Sequence, residues 1–318
     1  MLDRGPVPNS TKHHNESNVR GGGEDAETPV TLEDHPMSYA FRPNAMYRMP
    51  THFGPSLGPR QGVDGRRFAC RKNPKTTTVS VSFLTGREQL DRLLPDGFRV
   101  GEEPVVTVAA SYMTEIEWLA GRGYNILGVS WPAVFQGERD RAAGSFLAVL
   151  WENMCDPILT GREELGYAKM WAEIPEPTVC DGRTHCTAGW EGFRFLDMEV
   201  RDLKPSSVEP PEAAADEATV DETLRGILHY KYIPRTGDWG AADVAYAVLT
   251  PADVPNQVVT ESWEGEGSVA FHSATWEDMP TQCHIVNAFH ELEVKEFRRA
   301  EVTRSVGSKD LGDQRVLR

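Results

Sequence analysis

Short segments in which apolar and polar residues alternate recur along most of this chain. Successive side chains of a β-strand point to opposite faces, so a period of two predicts strands with one buried face. Turn-forming residues separate the segments, since the 318 residues include 28 Gly and 22 Pro. The pattern predicts a mainly β or α+β protein with one large antiparallel sheet or barrel. The clearest segments are residues 79–83, 104–119, 144–154, 193–200, 228–233 and 245–249.

Short helices are predicted at two Thr-Gly-Arg-Glu sequences, which begin at Thr85 and Thr160. In a capping box, the Thr side chain and the Glu three residues later each bond a backbone N–H at the start of the helix. The second helix is expected to last about two turns and to end at Gly166, because glycine readily adopts the left-handed conformation that follows a helix.

Three stretches lack the apolar residues that a folded core needs. Residues 1–38 and 307–318 are polar, and we predict that they form terminal tails around a single domain spanning residues 39–306. Within that domain, residues 205–218 are rich in Pro, Ala and acid and are predicted to form an exposed insertion between strands.

The charge balance argues against some partners. With 33 Lys and Arg against 48 Asp and Glu, the formal charge of -15 repels nucleic-acid phosphates and anionic lipid headgroups, so neither nucleic acid nor a membrane is expected as a partner. Five scattered cysteines are typical of reduced thiols, which predicts a cytoplasmic protein. The His and Cys spacings match no metal motif, so neither a metal nor another cofactor is predicted.

One lysine lies in a segment with strand periodicity. If this segment is extended, Tyr167, Lys169 and Trp171 share one face, while Ala168 and Met170 belong to an apolar reverse face. Burial at such a position disfavours the charged amine and lowers its pKa. The alternative is that Lys169 points outwards and the two aromatic rings cover its aliphatic stem, which is usual for lysine.

The sequence around this lysine resembles the acetoacetate decarboxylase family. In that family a helix-opening Gly-Arg-Glu precedes Tyr-Pro-Lys-Lys, and this chain has Gly161-Arg162-Glu163 and Tyr167-Ala168-Lys169-Met170 at the same spacing. The similarity extends over residues 49–306, and residues 299–302 resemble the final helix of the family. Further matching positions are Tyr124, Pro132, Phe135, Gly137, Glu261, Trp263 and Gly265.

The resemblance implies a closed antiparallel β barrel or cone with short outer helices, assembled as a homo-oligomer. It also implies that Lys169 forms a Schiff base with a keto substrate. That step needs a neutral amine, so the pKa of the lysine must fall by about 3 from its ordinary value of about 10.4. Acetoacetate decarboxylase itself is a known example of a lysine activated by desolvation or a neighbouring cation. Met170 replaces the family's second lysine, so desolvation would have to supply the change.

Other supporting groups of the family are also replaced. Ile126 stands where the family has a catalytic glutamate, and Ala109 stands where it has a second acid. The arginine that binds the substrate carboxylate in the family would fall at Thr76. Arg71 and Lys75 are close to this position in sequence and are candidates for that role.

Several nearby residues are candidate acids, bases or pocket residues. Glu115 and Glu117 lie two apart on a predicted strand, where they would either face the cavity as acids or form a solvated edge. Tyr124 is a candidate proton donor, or else a buried structural tyrosine. The remaining candidate pocket residues are Tyr167, Trp171, Ile126 and Met170.

These features favour a lysine-dependent carbon–carbon lyase that acts on a small keto acid, with decarboxylation as the default reaction. The replaced acids leave room for a sister reaction of the same imine, an aldol condensation and dehydration on a 2-keto acid. A third alternative is a barrel that binds a small molecule without turnover, which an ordinary pKa of Lys169 would favour.

Overall fold

A computed structural model describes residues 41–207, 220–309 and 311–318 and shows one large β-sheet. Its 14 strands confirm the mainly β prediction, and each segment with a clear period of two contributes to a strand. The strands are β1 Lys75–Leu84, β2 Phe98–Val100, β3 Val105–Thr114, β4 Tyr124–Gln136, β5 Arg141–Glu152, β6 Lys169–Trp171, β7 Thr178–Cys180, β8 Arg183–Trp190, β9 Phe193–Pro205, β10 Arg225–Pro234, β11 Ala242–Pro251, β12 Val258–Phe271, β13 Glu296–Val306 and β14 Arg315–Val316.

The sheet is open, so the predicted closed barrel or cone is wrong. Its order within the described residues is β14-β11-β10-β5-β4-β3-β1-β13-β12-β9-β8-β7, with β2 beside β4 and β6 beside β5. Closure requires the two edge strands to pair with each other. Here the edges are β7, with three exposed residues, and β14, with two residues that pair only with Val248 and Leu249. Neither edge offers a ladder long enough to close the sheet.

The sheet is mixed rather than purely antiparallel. Strand β5 pairs with β4 in antiparallel orientation, but with β10 and β6 in parallel orientation. A parallel neighbour needs a crossover connection. The residues between β5 and β6 provide one and contain helix α2, Cys155–Thr160, followed directly by a π-helix, Gly161–Leu165.

The alternating pattern sorts the side chains of β1, β3, β4 and β5 onto a buried face and a half-buried face. Trp151 is fully buried on the first face and packs against Phe195 of β9 and Phe289 of helix α3, Cys283–His290. Burying a large apolar side chain stabilises a fold by ~1.5–3 kcal/mol. This apolar layer is therefore the main source of stability, and the opposite face is available for other roles.

The predicted capping boxes are absent at both described helix starts. Helix α1, Arg87–Asp91, has Gly86 at its N-cap and no side-chain cap. The second helix begins at Cys155, five residues before Thr160, whose hydroxyl donates instead to the Pro157 carbonyl. The predicted stop is confirmed, because Gly166 has φ 84°.

The remaining predictions about the fold differ in outcome. Residues 299–302, expected in a helix, lie in β13, which pairs with β1 on one side and with β12 on the other. The predicted N-terminal tail and most of the 205–218 insertion lie outside the described residues. The C-terminal stretch predicted as a tail contains β14 and a buried Leu317. The domain limits of 39–306 and the homo-oligomer stay predictions.

Candidate active site

The half-buried face of the sheet carries several of the residues that the sequence placed at the site. Strand register puts Thr76 beside Met113, Ala109 beside Gly128, and Ile126 beside Glu152. Paired residues of adjacent strands point to the same face, so all these positions share one surface with Lys169, which pairs with Leu150. We call this surface the polar face: Thr76, Thr78, Ser80, Ala109, Ser111, Met113, Tyr124, Ile126, Gly128, Leu150, Glu152 and Lys169.

Lys169 is buried on the polar face, with 8% of its surface exposed. Its Nζ donates to Glu152 Oε1 at 2.7 Å and to the Pro157 carbonyl at 3.0 Å. The amine therefore points towards helix α2 and not into solvent, which rules out the outward-pointing alternative.

Glu152 is the acid that sequence reasoning missed. It is the last residue of β5, is fully buried, and lies between Ile126 of β4 and Trp171 of β6 in the sheet. Its Oε2 atom has no hydrogen-bond partner among the described residues. A buried, half-satisfied carboxylate costs free energy, and a role in chemistry or recognition is one reason for a protein to retain it. The sequence feature that could have identified Glu152 is an acid at the end of a mostly apolar strand.

Burial shifts both members of this pair towards their neutral forms. Desolvation lowers the pKa of Lys169, although the charge of Glu152 opposes the change. Desolvation likewise raises the pKa of Glu152, and here Lys169 opposes it. The proton between the two groups is thus less firmly held by the amine than it would be in water, which favours a nucleophilic amine.

The π-helix packs directly on the lysine side chain. A Cβ atom at Gly161 would lie 2.7 Å from Lys169 Nζ and closer still to its Cδ and Cε atoms. Only glycine therefore leaves room for the amine in this position. Arg162, the next residue, donates to the Lys169 carbonyl at 2.7 Å and ties the strand to the same helix.

Two arginines bind Glu164 of this helix. Arg48 and Arg60 both form ion pairs with Glu164, and Arg60 Nε donates to Glu164 Oε2 at 3.0 Å. Two positive charges against one negative charge leave one net positive charge. Arg60 is buried and near enough to Lys169 to contribute, after desolvation, to the lowering of the lysine pKa. Arg60 therefore supplies a cation near the amine, although Met170 replaces the second lysine of the family.

Tyr124 and Ile126 lie near the pair on the polar face, and both are half-buried. Burial and then the negative charge of Glu152 raise the pKa of Tyr124, so its hydroxyl stays protonated. The hydroxyl of Tyr167 bonds the hydroxyl of Thr250 at 2.6 Å.

Met170 and Trp171 occupy opposite faces, as the period of two predicts. Trp171 shares the polar face with Glu152. Met170 points to the other side of the sheet and lines an apolar cavity of about 290 Å³. This cavity is also lined by Trp131, Ala168 and Phe289. Lys169 does not line it.

Glu115, Glu117 and Lys75 lie at the end of the sheet. Glu115 comes after β3 with φ 57°, and its carboxylate pairs with Lys75 at 2.6 Å. Glu117 is in a 3-10 helix rather than on the predicted strand. The paired acid and lysine are both exposed, and Arg71 is exposed in the loop before β1. The structure gives none of these four residues a contact with Lys169.

Within the described residues, no group of three or more His, Cys, Asp or Glu side chains is arranged to hold a metal ion. In the same part of the chain, no helix is long and apolar enough to cross a bilayer. A cytoplasmic location stays a prediction.

Comparisons with known proteins found a family model and solved structures that resemble this chain. A family model described as acetoacetate decarboxylase matches residues 48–307. Acetoacetate decarboxylase from Legionella pneumophila has a TM-score of 0.54 and 17% identity, over 80% of this chain and 91% of that one. An acetoacetate decarboxylase-like enzyme from Sphingomonas wittichii has a TM-score of 0.55 and 16% identity, over 77% and 91%. These two solved structures share the fold.

A third solved structure is the enduracididine biosynthesis enzyme MppR complexed with pyruvate. Its TM-score is 0.54 and its identity 16%, over 81% of this chain and 95% of that one. A comparison with curated protein sequences found no match.

Proposed function

Because this chain belongs to the acetoacetate decarboxylase family, we propose that it is an enzyme acting on a small keto acid, in which Lys169 forms a Schiff base with the ketone and decarboxylation follows. A protonated imine accepts the electron pair that is released when carbon dioxide leaves. The resulting enamine is then protonated and hydrolysed, which returns the lysine.

The buried contact between Lys169 and Glu152 carries this proposal. An amine that is 8% exposed, with its pKa lowered by burial, meets the first requirement of imine chemistry. An ordinary structural lysine extends its ammonium to solvent. Lys169 instead directs it at a carboxylate inside the protein.

The surrounding charge supports an acid as substrate. Arg60 lies near enough to Lys169 to lower its pKa, and the cluster of Arg48, Arg60 and Glu164 carries one net positive charge. An anionic substrate is attracted to such a site, whereas a neutral ketone gains nothing from it. We therefore propose Arg60, rather than Arg71 or Lys75, as the cation that attracts the substrate carboxylate.

A second candidate reaction is an aldol condensation and dehydration on a 2-keto acid. The solved structures that share this fold include MppR complexed with pyruvate and with the condensation product of pyruvate and imidazole 4-carboxaldehyde. Ile126 and Ala109, which replace two family acids, also distinguish this chain from a typical decarboxylase. Both reactions begin with the same imine.

The test is to incubate the protein with acetoacetate or pyruvate, reduce it with borohydride, and locate the adduct by mass spectrometry. We expect an adduct on Lys169 in the wild type, none in Lys169→Met, and an unchanged adduct in Lys75→Met, which removes an exposed lysine. Release of carbon dioxide from acetoacetate identifies the decarboxylase. An adduct that forms without release of carbon dioxide, together with condensation of pyruvate with an aldehyde, identifies the second reaction. An unmodified Lys169 with every keto acid contradicts both reactions and leaves a binding role.

A further inference from the structure

The carboxylate of Glu152 has a geometry that a simple counterion does not need. It is fully buried at the end of β5, and only one of its two oxygens has a partner among the described residues. That partner is the amine of Lys169, at 2.7 Å. Replacing a buried ion pair by apolar side chains is often neutral or stabilising, so stability alone does not account for this pair.

We propose that Glu152 is a catalytic residue that takes the proton from the Lys169 ammonium and later returns it to the oxygen that leaves as water. This inference rests on the proposed Schiff-base function and adds to it the group that moves the proton. Glu152 is therefore the acid of this site, in place of a carboxylate at position 126 or 109.

The proton balance of imine formation follows from this arrangement. The ammonium of Lys169 gives one proton to the Glu152 carboxylate, which leaves a neutral amine and a neutral carboxylic acid. The amine attacks the ketone carbon, and a proton passes from nitrogen to the ketone oxygen to give a carbinolamine. Glu152 then protonates the hydroxyl group, the carbon–oxygen bond breaks, and water departs. The products are an iminium ion, water and the original carboxylate.

The electrostatics of the pair support this exchange. Burial lowers the pKa of Lys169 and raises the pKa of Glu152, so the charged and neutral forms of the pair become closer in free energy. A donor and an acceptor with similar proton affinities exchange a proton at low cost in either direction. The unpartnered Oε2 can carry the transferred proton and donate it to the reacting oxygen.

Strand register gives a second, independent observation. Ile126 is the direct partner of Glu152 in the antiparallel pairing of β4 and β5, and both side chains lie on the polar face. Directly opposite residues have Cβ atoms about 4.5–5.5 Å apart. A carboxylate at either position therefore reaches nearly the same space, so one strand can supply the acid that its neighbour lacks.

Glu152→Gln tests the proposal through the rate of borohydride trapping with acetoacetate, measured per folded molecule across pH. We expect trapping at least tenfold slower than in the wild type, because the amide neither accepts the ammonium proton nor protonates the leaving hydroxyl. If Glu152 is only a counterion, the change in trapping rate should have the opposite sign. Its removal would lower the pKa of Lys169 further, so trapping near neutral pH would stay equal or become faster, and this result would overturn the proposal.

The double variant Ile126→Glu/Glu152→Gln moves the acid across the strand pair. We expect it to recover trapping to within about tenfold of the wild type. It also gives the readout where Glu152→Gln alone does not fold, since it keeps one carboxylate in the same buried space. A folded double variant that traps no faster than about a hundredth of the wild-type rate contradicts the proposal. The matched control is Glu173→Gln, an exposed acid just after β6, which should leave trapping unchanged.

The result for the wild type separates the Schiff-base function from the role of Glu152. A wild-type adduct with normal trapping in Glu152→Gln overturns the role of Glu152 and leaves the Schiff-base function intact. A wild type that forms no adduct overturns both.

Discussion

At the scale of single residues, the site depends on a close fit around one amine. The amine of Lys169 donates to a carboxylate and to a backbone carbonyl, and a Cβ atom at Gly161 would overlap its side chain. Each contact limits where the amine can lie, and a nucleophile must be placed to within about 1 Å to react efficiently. The absence of a side chain at Gly161 is therefore as important as the presence of Glu152.

Gly161→Ala should displace the lysine without unfolding the protein. The new methyl group would overlap the Lys169 side chain, while the glycine itself has an ordinary helical φ of -70°. We expect adduct formation with acetoacetate to fall at least tenfold and the melting temperature to fall by a few degrees. Mass spectrometry after borohydride reduction and a thermal melt measure the two effects.

Gly58→Ala is the matched control for this substitution. Gly58 packs against Thr160 of the same helical segment, but a Cβ there meets nothing closer than 3.5 Å. Adduct formation should be unchanged. Equal losses in both alanine variants would mean that the effect is a general one on the segment, not displacement of the lysine.

At the scale of elements, side chains of β10 hold the π-helix that packs on Lys169. His229 donates from Nε2 to the Leu165 carbonyl at 3.1 Å, and Lys231 donates to the carbonyls of Glu163 and Glu164 at 2.9 and 3.0 Å. The last carbonyls of a helix have no partner within it, so these donors satisfy what the helix leaves open. They position the segment from a strand that is distant in sequence.

The buried histidine makes stability depend on pH. Burial lowers the pKa of His229 to about 4 from its ordinary value of 6.5. The neutral imidazole therefore stabilises the fold fully above pH 6.5, and this contribution is lost as the pH falls towards 4. The loss amounts to about 3 kcal/mol. His229→Gln keeps a donor for Leu165 but does not titrate, so its free energy of unfolding should fall less than that of the wild type over this range.

Denaturant unfolding at pH 7 and at pH 4 measures the difference. The control is His284→Gln, which replaces an exposed histidine of α3 and should follow the wild type at both pH values. If His229→Gln loses as much stability as the wild type on acidification, the histidine is not the group responsible.

At the scale of the whole molecule, the N-terminal part of the described chain completes the site. Arg48 and Arg60 reach Glu164 across 116 and 104 residues of sequence. They link residues 41–74 to the π-helix between β5 and β6. The positive charge near Lys169 is thus supplied by a segment that contributes no strand to the sheet.

Arg60→Gln should weaken the reaction through charge. Removing the cation raises the pKa of Lys169, so the pH at which half of the protein forms the adduct should move upwards. We also expect a few-fold higher KM for an anionic keto acid, with a smaller change in kcat. Steady-state kinetics and the pH profile of borohydride trapping measure both effects.

Arg66→Gln serves as the comparison, because Arg66 pairs with Asp64 on the surface of the same segment. It should leave the pH profile and KM unchanged. A shift of the same size in both variants would assign the effect to the general charge of the protein.

The amino-acid sequence by itself determined most of the strands, the faces of their side chains and the choice of Lys169 as the candidate nucleophile. Alternation is a local property, because neighbouring side chains of any extended segment point to opposite sides. The Gly-Arg-Glu and Tyr-Ala-Lys spacing is likewise contained in nine residues, from Gly161 to Lys169. The stop at Gly166 depended on a single residue, and for that reason it too was predictable.

Only the tertiary structure decided which groups surround the amine. Glu152 reaches Lys169 because β5 and β6 pair in parallel, and Arg60 approaches because a distant segment crosses the π-helix. The open sheet depends in the same way on which strands lie at its edges. Such pairings are set by the packing of residues far apart in sequence, and a local period carries no information about them. The lysine could be found from its neighbours in the chain, but its acid and its nearby cation could not.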